Sequence, residues 1–330
     1  MSELRKDPII RRWIILSKER NGELSDYISH EEKVEKSCPF CPGNEEKTPV
    51  EIMVVRKAVG PKDRKDWSLR VIPDKFPLLR IEGGLEKRGQ GIYDIMNAVG
   101  AHEVIIETPE HDTDWAILEI EQIKIILEAY RGRSLDLRKD KRFKHIIIVK
   151  NQGWIASQWT HPHSHVLAMP FIVKRVEEEL NSSGDYFKIK ERCIYCDIIN
   201  EEIHIGKRVI IESDYFLVFA PFASKFPYEI CVIPKLHISD LSAINEEILK
   251  DQAKIFKEVV IRLKKVFRNL SYSMVLHSSP IQRGLIEEYH WHWEIMPRYR
   301  EAVGFEWGTG LYANPVLPED AAKILRDAGL

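Results

Sequence analysis

Three histidines alternate within one short segment, His161-Pro-His163-Ser-His165. In an extended chain alternate residues share a face, so the three imidazoles are expected to project together. Pro162 favours that extended form in the residue before it. Core packing explains such a triplet poorly, because each buried imidazole needs its own hydrogen-bond partner. Nucleophilic chemistry explains it better. A neutral imidazole attacks phosphorus without first being deprotonated, which suits His163 to carry a nucleotidyl group and splits one transfer into two steps. The preceding turn runs Asn151-Gln-Gly-Trp-Ile-Ala-Ser-Gln158. In it Asn151, Gly153 and Ser157 are candidates to approach phosphate oxygens through backbone N–H groups and short side chains.

The cysteines point to metal. Four of the five fall into Cys38-Pro-Phe-Cys41 and Cys193-Ile-Tyr-Cys196. Such a turn brings two thiolates to one point, and a structural zinc needs two more nitrogen or sulfur ligands to complete its tetrahedron. In the first half His111 and His161 are the candidates. Ligation by His161 would fix the local backbone and leave His163 beside it as a positioned, unliganded imidazole. In the second half Cys193, Cys196, His237 and His290 form the matched set. Alternatively, His277 and His292 join His290 and an upstream carboxylate such as Glu179 in a site suited to zinc or iron. Cys231, within Tyr228-Glu-Ile-Cys-Val-Ile233, reads as a buried strand residue.

These marks repeat in order along the chain. Cys38, His111, His161 and Met169-Pro170 are answered by Cys193, His237, His290 and Met296-Pro297. From His111 to His237 is 126 residues and from His161 to His290 is 129, whereas from Cys38 to Cys193 is 155. An internal duplication accounts for this, with one loop differing in length. In the second copy His292 stands where His163 does and Glu294 where His165 does. Catalysis is therefore expected from the first half alone.

The elements that must position these residues are also legible. Phe143–Val149, Arg208–Ile211 and Tyr215–Phe219 are β-branched and aromatic runs of strand length. Glu119–Leu135 and Glu246–Phe267 carry apolar residues at three-to-four spacing among charges, the pattern of amphipathic helices. Lys174–Lys190, charged and holding Asn181-Ser-Ser-Gly184, reads as the connection between halves, and Glu86–Gly91 as a polar loop. A chain of 330 residues exceeds the usual single core, which favours two domains. We place them at residues 1–178, catalytic, and 179–330.

A hydrophobic share of 44% and a charged share of 30% fit a soluble globular protein. The 49 Lys and Arg against 51 Asp and Glu give no global field to draw in nucleic acid. The start MSELRKDPIIRRW lacks a signal-peptide core, and no run reaches the roughly 18 apolar residues of a membrane span, so a cytoplasmic protein is expected.

With these residues in hand, the chain resembles the galactose-1-phosphate uridylyltransferase family of the histidine-triad superfamily along nearly its whole length. Arg5–Ser17 looks like the family's opening strand and Cys38–Asn44 like its zinc turn. Val71-Ile-Pro-Asp74-Lys-Phe-Pro77 looks like its ribose-binding segment and His161-Pro-His163 like its active-site motif. The resemblance implies an α+β fold of two tandem histidine-triad-like domains, each a mainly antiparallel half-barrel sheet with packed helices. It implies a homodimer with active sites near the interface, while the cysteine and histidine sets lead to the expectation of one zinc per domain, with iron as the alternative in the second. It further implies ping-pong exchange of hexose-1-phosphates on a nucleotide sugar, UDP-glucose or ADP-glucose, within galactose metabolism. By the same match His163 is the nucleophile, Arg20 touches phosphate and Asp74 the ribose or base edge. Asn151 and Ser164 meet phosphoryl oxygens, and His111 with His161 holds zinc.

The chain also departs from the family pattern. Ser164-His165 replaces the Gly-Gln that follows the nucleophile in the uridylyltransferases, so an imidazole stands where an amide steadies the intermediate. Asp74 replaces an Asn, and the usual Gly-x-Ser is shifted to Ala156-Ser157-Gln158. The serine after the nucleophile, the second Cys-x-x-Cys and the tail Phe305-Glu-Trp-Gly-Thr-Gly310 resemble the ADP-glucose phosphorylase branch. That tail adds Phe305, Gly308 and Thr309 to the expected substrate contacts. Two readings stand: uridylyl exchange between hexose-1-phosphates, and adenylyl transfer to phosphate. A histidine-triad hydrolase or nucleotide binder is a third, because His165 restores the triad spacing.

Overall fold

The computed structural model describes residues 3–6, 9, 13–16, 38–56, 66–90, 93–153, 155–157, 159–298 and 304–329. Arg20, Trp154 and Gln158 lie outside them. The first described strands are β1 (Glu3–Lys6) and β2 (Trp13–Leu16), which pair antiparallel, so the expected single opening strand is two. The first half continues through β3 (Met53–Arg56), β4 (Trp67–Pro73), β5 (Arg88–Gln90), β6 (Tyr93–Ile95) and β7 (Ala101–Ile106). It closes with α1 (Ile120–Leu137), β8 (His145–Gln152) and β9 (His163–Met169). The second half runs α2 (Lys174–Lys190), α3 (Ile194–Ile205), β10 (Val209–Glu212), β11 (Phe216–Phe219) and β12 (Ile230–Pro234). Then come α4 (Glu246–Val266), β13 (Tyr272–His277), β14 (His292–Pro297), α5 (Gly304–Thr309), β15 (Tyr312–Asn314) and α6 (Pro318–Asp327).

Ten strands form one antiparallel sheet in the order β10-β11-β12-β14-β13-β8-β9-β7-β4-β3. Outward from its centre the first half reads β8-β9-β7-β4-β3 and the second β13-β14-β12-β11-β10, so each strand has a counterpart in the other copy. The copies join through β8 and β13, with Asn151 opposite Ser273 and Val149 opposite Val275. The fold is α+β and mainly antiparallel, and the duplication has produced one continuous sheet.

Strand alternation then assigns two chemistries to two faces. On one face Ile105, Ile148, Val166, Val218, Val232 and Ile295 join α1 and α4 in a single apolar core that spans both halves. Helix α4 carries Ile248, Leu249, Phe256, Val259, Val260 and Leu263 on its buried stripe. It starts where the Asn245 side chain accepts from the N–H of Ile248 (3.0 Å), and Lys264 and Lys265 sit at its negative end. Each fully buried aliphatic or aromatic side chain of this core contributes about 1.5–3 kcal/mol. On the opposite face the strand residues between them meet smaller clusters. Cys38, Phe40, Trp67, Ile72, Val104 and Ile106 pack in the first half, and α2 and α3 cover β11 and β12 in the second.

Two loop expectations are corrected. Lys174–Lys190 is the helix α2, because Val176, Glu179, Leu180 and Ser183 recur at helical spacing and are buried, and the dense charges are its solvated side. It ends at Glu191, whose left-handed backbone (φ 54°) lets its N–H reach the Phe187 carbonyl (2.7 Å). The boundary expected at 178/179 falls inside it. Within Glu86–Gly91, residues Arg88–Gln90 form a strand paired with β6.

Candidate active site

His163 begins β9, where it lies opposite Ile106 of β7. Its ring is 3% exposed and faces away from α1, with the rings of Phe40 and His165 at 5.4 and 5.3 Å. Nδ1 lies 2.7 Å from the carbonyl oxygen of His161. A carbonyl only accepts, so Nδ1 carries the proton and the lone pair stands on Nε2. Burial pushes the His163 imidazolium down to about 3, so the ring is neutral at physiological pH.

His161 turns its ring to the cysteines. The ligating atoms of Cys38, Cys41, His111 and His161 all lie within 4.8 Å of one another. Cys41 Sγ is 3.3 Å from His111 Nδ1 and 3.7 Å from His161 Nδ1. Both rings are held from behind: His161 Nε2 donates to the Thr108 carbonyl (2.8 Å), and His111 Nε2 meets Thr160 Oγ1 (3.0 Å). This leaves the Nδ1 of His161 free of a proton, as ligation requires. The second copy repeats the device. Cys193, Cys196, His237 and His290 converge in the same way, with Cys196 Sγ 3.3 Å from His237 Nδ1 and His290 Nε2 on the Pro234 carbonyl (2.9 Å). Both donor sets, two sulfurs and two nitrogens, fit a tetrahedral metal ion.

The other arrangement for the second half does not form, because His290 belongs to the cysteine set. His277, His292, Glu179 and Glu294 instead gather separately and are all buried. Glu294 accepts from Arg175 (2.8 Å) and Lys225 (3.0 Å), and Glu179 pairs with His277 (2.8 Å) and Arg175 (3.0 Å). Those carboxylates are already neutralised by side chains. His292 repeats the pose of His163, with Nδ1 3.2 Å from the His290 carbonyl and Tyr195 in the place of Phe40 (5.4 Å).

The remaining expected residues divide. Asn151, next to last in β8, lies on the face shared with His163 and His165, since Val149 lies opposite His165. Gly153 turns the chain at φ +83°, where an added Cβ would stand 2.4 Å from Ser271 Oγ. Its carbonyl accepts from the N–H groups of Ala156 (3.0 Å) and Ser157 (2.9 Å), closing the turn. Asp74 and His165 come together near His102, at 3.6 and 3.8 Å from its carboxylate oxygen to the two rings. Ser164 does not meet the expectation of a hydroxyl on phosphate. Alternation sends it to the other face, where its Oγ binds Tyr130 (2.9 Å) and it is fully buried. Phe305, Gly308 and Thr309 are exposed on helix α5, with the Thr309 hydroxyl donating to the Phe305 carbonyl (2.7 Å).

Sequence reasoning missed the support beneath β9. Tyr130 links Ser164 to Glu107, which also accepts from Trp115 (2.8 Å) and Lys150 (2.7 Å), all of them buried. Lys150 at an inward strand position was the available signal, since a buried ammonium needs a carboxylate. His102 was missed too, for want of any local motif.

The chain matches known proteins along its whole length. Residues 1–172 match the N-terminal domain of galactose-1-phosphate uridyl transferase, and residues 179–327 match its C-terminal domain. The ADP-glucose phosphorylase of Arabidopsis thaliana is 32% identical over 99% of this chain and 93% of its own length. The galactose-1-phosphate uridylyltransferase of Thermotoga maritima is 27% identical over 99% and 98%. A crystal structure of the Arabidopsis thaliana enzyme with bound ADP-glucose superimposes with a TM-score of 0.84 at 32% identity, covering 100% of both chains. A uridylyltransferase structure gives 0.77 at 28% identity, covering 99% and 98%. With two metal-ligand sets, a tautomer-fixed histidine and matches along its whole length, the chain belongs to the galactose-1-phosphate uridylyltransferase family of nucleotidyl-transferring enzymes.

Proposed function

We propose that Nε2 of His163 attacks the α-phosphorus of a nucleotide sugar, forming an N–P bond as the bond to the β-phosphate oxygen breaks. Hexose-1-phosphate leaves with that electron pair. An acceptor phosphate oxygen then attacks the same phosphorus, the N–P bond breaks, and the imidazole returns to its starting tautomer. One observation carries this reading: the 2.7 Å bond from Nδ1 to the His161 carbonyl, which leaves Nε2 as the only basic nitrogen. Asn151, Gly153 and Ser157 line the phosphate side in this reading, with Asp74 and His165 close by.

Uridylyl exchange between hexose-1-phosphates is the first reading of substrate, supported by the family match. Adenylyl transfer to phosphate is the second, supported by Ser164, by the tail and by the 32% identity to an ADP-glucose phosphorylase. Zinc is the metal we assign to both cysteine sites, with iron as the alternative cation in the second half. Bound there, it supplies structural fixation of the chain. The remaining proposals are two domains at 1–178 and 179–330, a homodimer and a cytoplasmic location. No helix among the described residues is long and apolar enough to cross a membrane.

Incubation with UDP-glucose or ADP-glucose labelled in the α-phosphate tests the proposal. Acid-labile, base-stable label on His163 is expected from at least one of them, and absence of label from both overturns it. Acceptor choice is read by adding galactose-1-phosphate or inorganic phosphate to the labelled protein. Release as free monophosphate without acceptor would instead indicate a hydrolase.

A further inference from the structure

Two of the departures from the family pattern, Asp74 and His165, meet around a third residue, His102. It sits on β7 opposite Leu167, one pair along from the Glu103–Val166 pair. Its side chain is 8% exposed and that of His165 is 25% exposed. His102 Nδ1 accepts from the backbone N–H of Leu78 (3.2 Å), and its Nε2 is 3.0 Å from Nδ1 of His165. A backbone N–H can only donate, so Nδ1 of His102 carries a lone pair and the proton of the neutral ring must be on Nε2. That N–H points at His165, whose Nδ1 must therefore accept. The proton of neutral His165 is left on Nε2.

We propose that His102 is a positioning residue that holds His165 in a single tautomer, with its proton on Nε2, as a fixed hydrogen-bond donor to the phosphoryl group carried by His163. Asp74 belongs to the same device. Its backbone N–H donates to the His102 carbonyl (2.9 Å), and its Oδ1 accepts from the Phe76 N–H (2.7 Å). The other oxygen faces both rings and favours the polarised N–H of His102. With ring centroids of His163 and His165 only 5.3 Å apart, phosphoryl oxygens on Nε2 of His163 come within reach of the His165 donor. The imidazole thus does the work of an amide N–H, but only while His102 forbids the other tautomer. The same three side chains could offer a divalent cation one atom each, yet a metal on Nε2 of His102 would require the proton to move to Nδ1, against the Leu78 N–H.

This inference takes its phosphoryl group from the proposed transfer, and the test separates the two. Long-range proton–nitrogen NMR of the uniformly labelled full-length protein is expected to show both His102 and His165 protonated on Nε2 and bare on Nδ1. In His102→Phe the His165 signals should shift to mixed tautomers. Its nucleotidylation kcat should fall about tenfold, the loss of one charge-assisted hydrogen bond, with KM nearly unchanged. His102→Gln, whose amide can still donate, should restore most of the rate. In a His165→Gln background, His102→Phe should leave kcat within about twofold, because the partner it orients is gone. A proton on Nδ1 of either ring in the wild type overturns the proposal. So does an equal loss in both backgrounds, or a tightly held third metal that His165→Gln removes. Correct tautomers with no nucleotidyl label in the wild type overturn the transfer reading alone.

Discussion

The carbonyl oxygen of His161 lies 2.7 Å from Nδ1 of His163, while the ring of His161 faces Cys41 at 3.7 Å. One residue therefore presents its side chain to the metal-ligand set and its backbone to the nucleophile. A metal ion held there fixes the backbone, and the backbone fixes the tautomer. The second copy keeps the pose at His290 and His292 but surrounds the latter with Glu179, His277 and Glu294. Those carboxylates are already paired with Arg175, Lys225 and His277, so the groups around His292 are committed to one another.

Replacing His163 by Gly should lower transfer by about 10⁴-fold or more, the scale of losing a covalent nucleophile. Metal content should stay near the wild-type value, because this ring is outside both ligand sets. Steady-state turnover with metal analysis on the same sample checks it, and retained turnover removes His163 from the mechanism.

Cys41→Ser should release one metal ion per chain and reduce labelling of His163, because the segment leading into β9 at His161 loses its anchor. Cys196→Ser should release the other ion while the labelling rate stays close to wild type. Elemental analysis beside labelling kinetics distinguishes the two, and equal kinetic loss would contradict a purely first-half active site.

Lys150 and Glu107 form a fully buried ion pair at 2.7 Å. Removing one partner leaves the other charge unpaired, so Lys150→Met should cost about 3–5 kcal/mol. Lys150→Met with Glu107→Gln should recover much of that. Urea unfolding of the single and double variants measures the difference, and a double variant no better than the single would refute the account.

At Gly153 an added Cβ would meet Ser271 Oγ at 2.4 Å and the Leu270 carbonyl at 2.8 Å, in a backbone of φ +83°. Gly153→Ala should therefore destabilise by about 2 kcal/mol or more, from strain and clash together. Unfolding midpoints would show it. The loss should extend to transfer, since the turn leads from β8 back to His161.

Burial of His145 lowers its imidazolium to about 4. The unfolded chain, with an ordinary value of about 6.5, takes up a proton first as pH falls. Bound protons then favour unfolding, so stability is retained above about 6.5 and lost progressively between 6.5 and 4, by about 3 kcal/mol from this residue. Denaturant midpoints across that range should fall more steeply for the wild type than for His145→Gln. Parallel curves would show that His145 is not responsible.

The sequence by itself determined everything that spacing encodes. Cysteines in Cys-x-x-Cys pairs, alternating histidines, and a second copy of both in the same order point to one ligand set in the first half, two alternative sets in the second, and one free imidazole. Periodicity likewise placed α1 and α4, and β-branched and aromatic runs placed β8, β11 and β10, although β10 proves to be an edge strand rather than a sheet interior. Residues 174–190 misled because charge dominated their composition, whereas four buried side chains at helical spacing decided their form. What only the tertiary structure decided is which groups meet across the sheet. His102 and His165 are 63 residues apart in the chain and 3.0 Å apart in space. Ser164 turned away from the nucleophile because neighbouring strand residues face opposite sides. A hydrogen bond depends on distance and direction after folding, and neither is written in the order of residues along the chain.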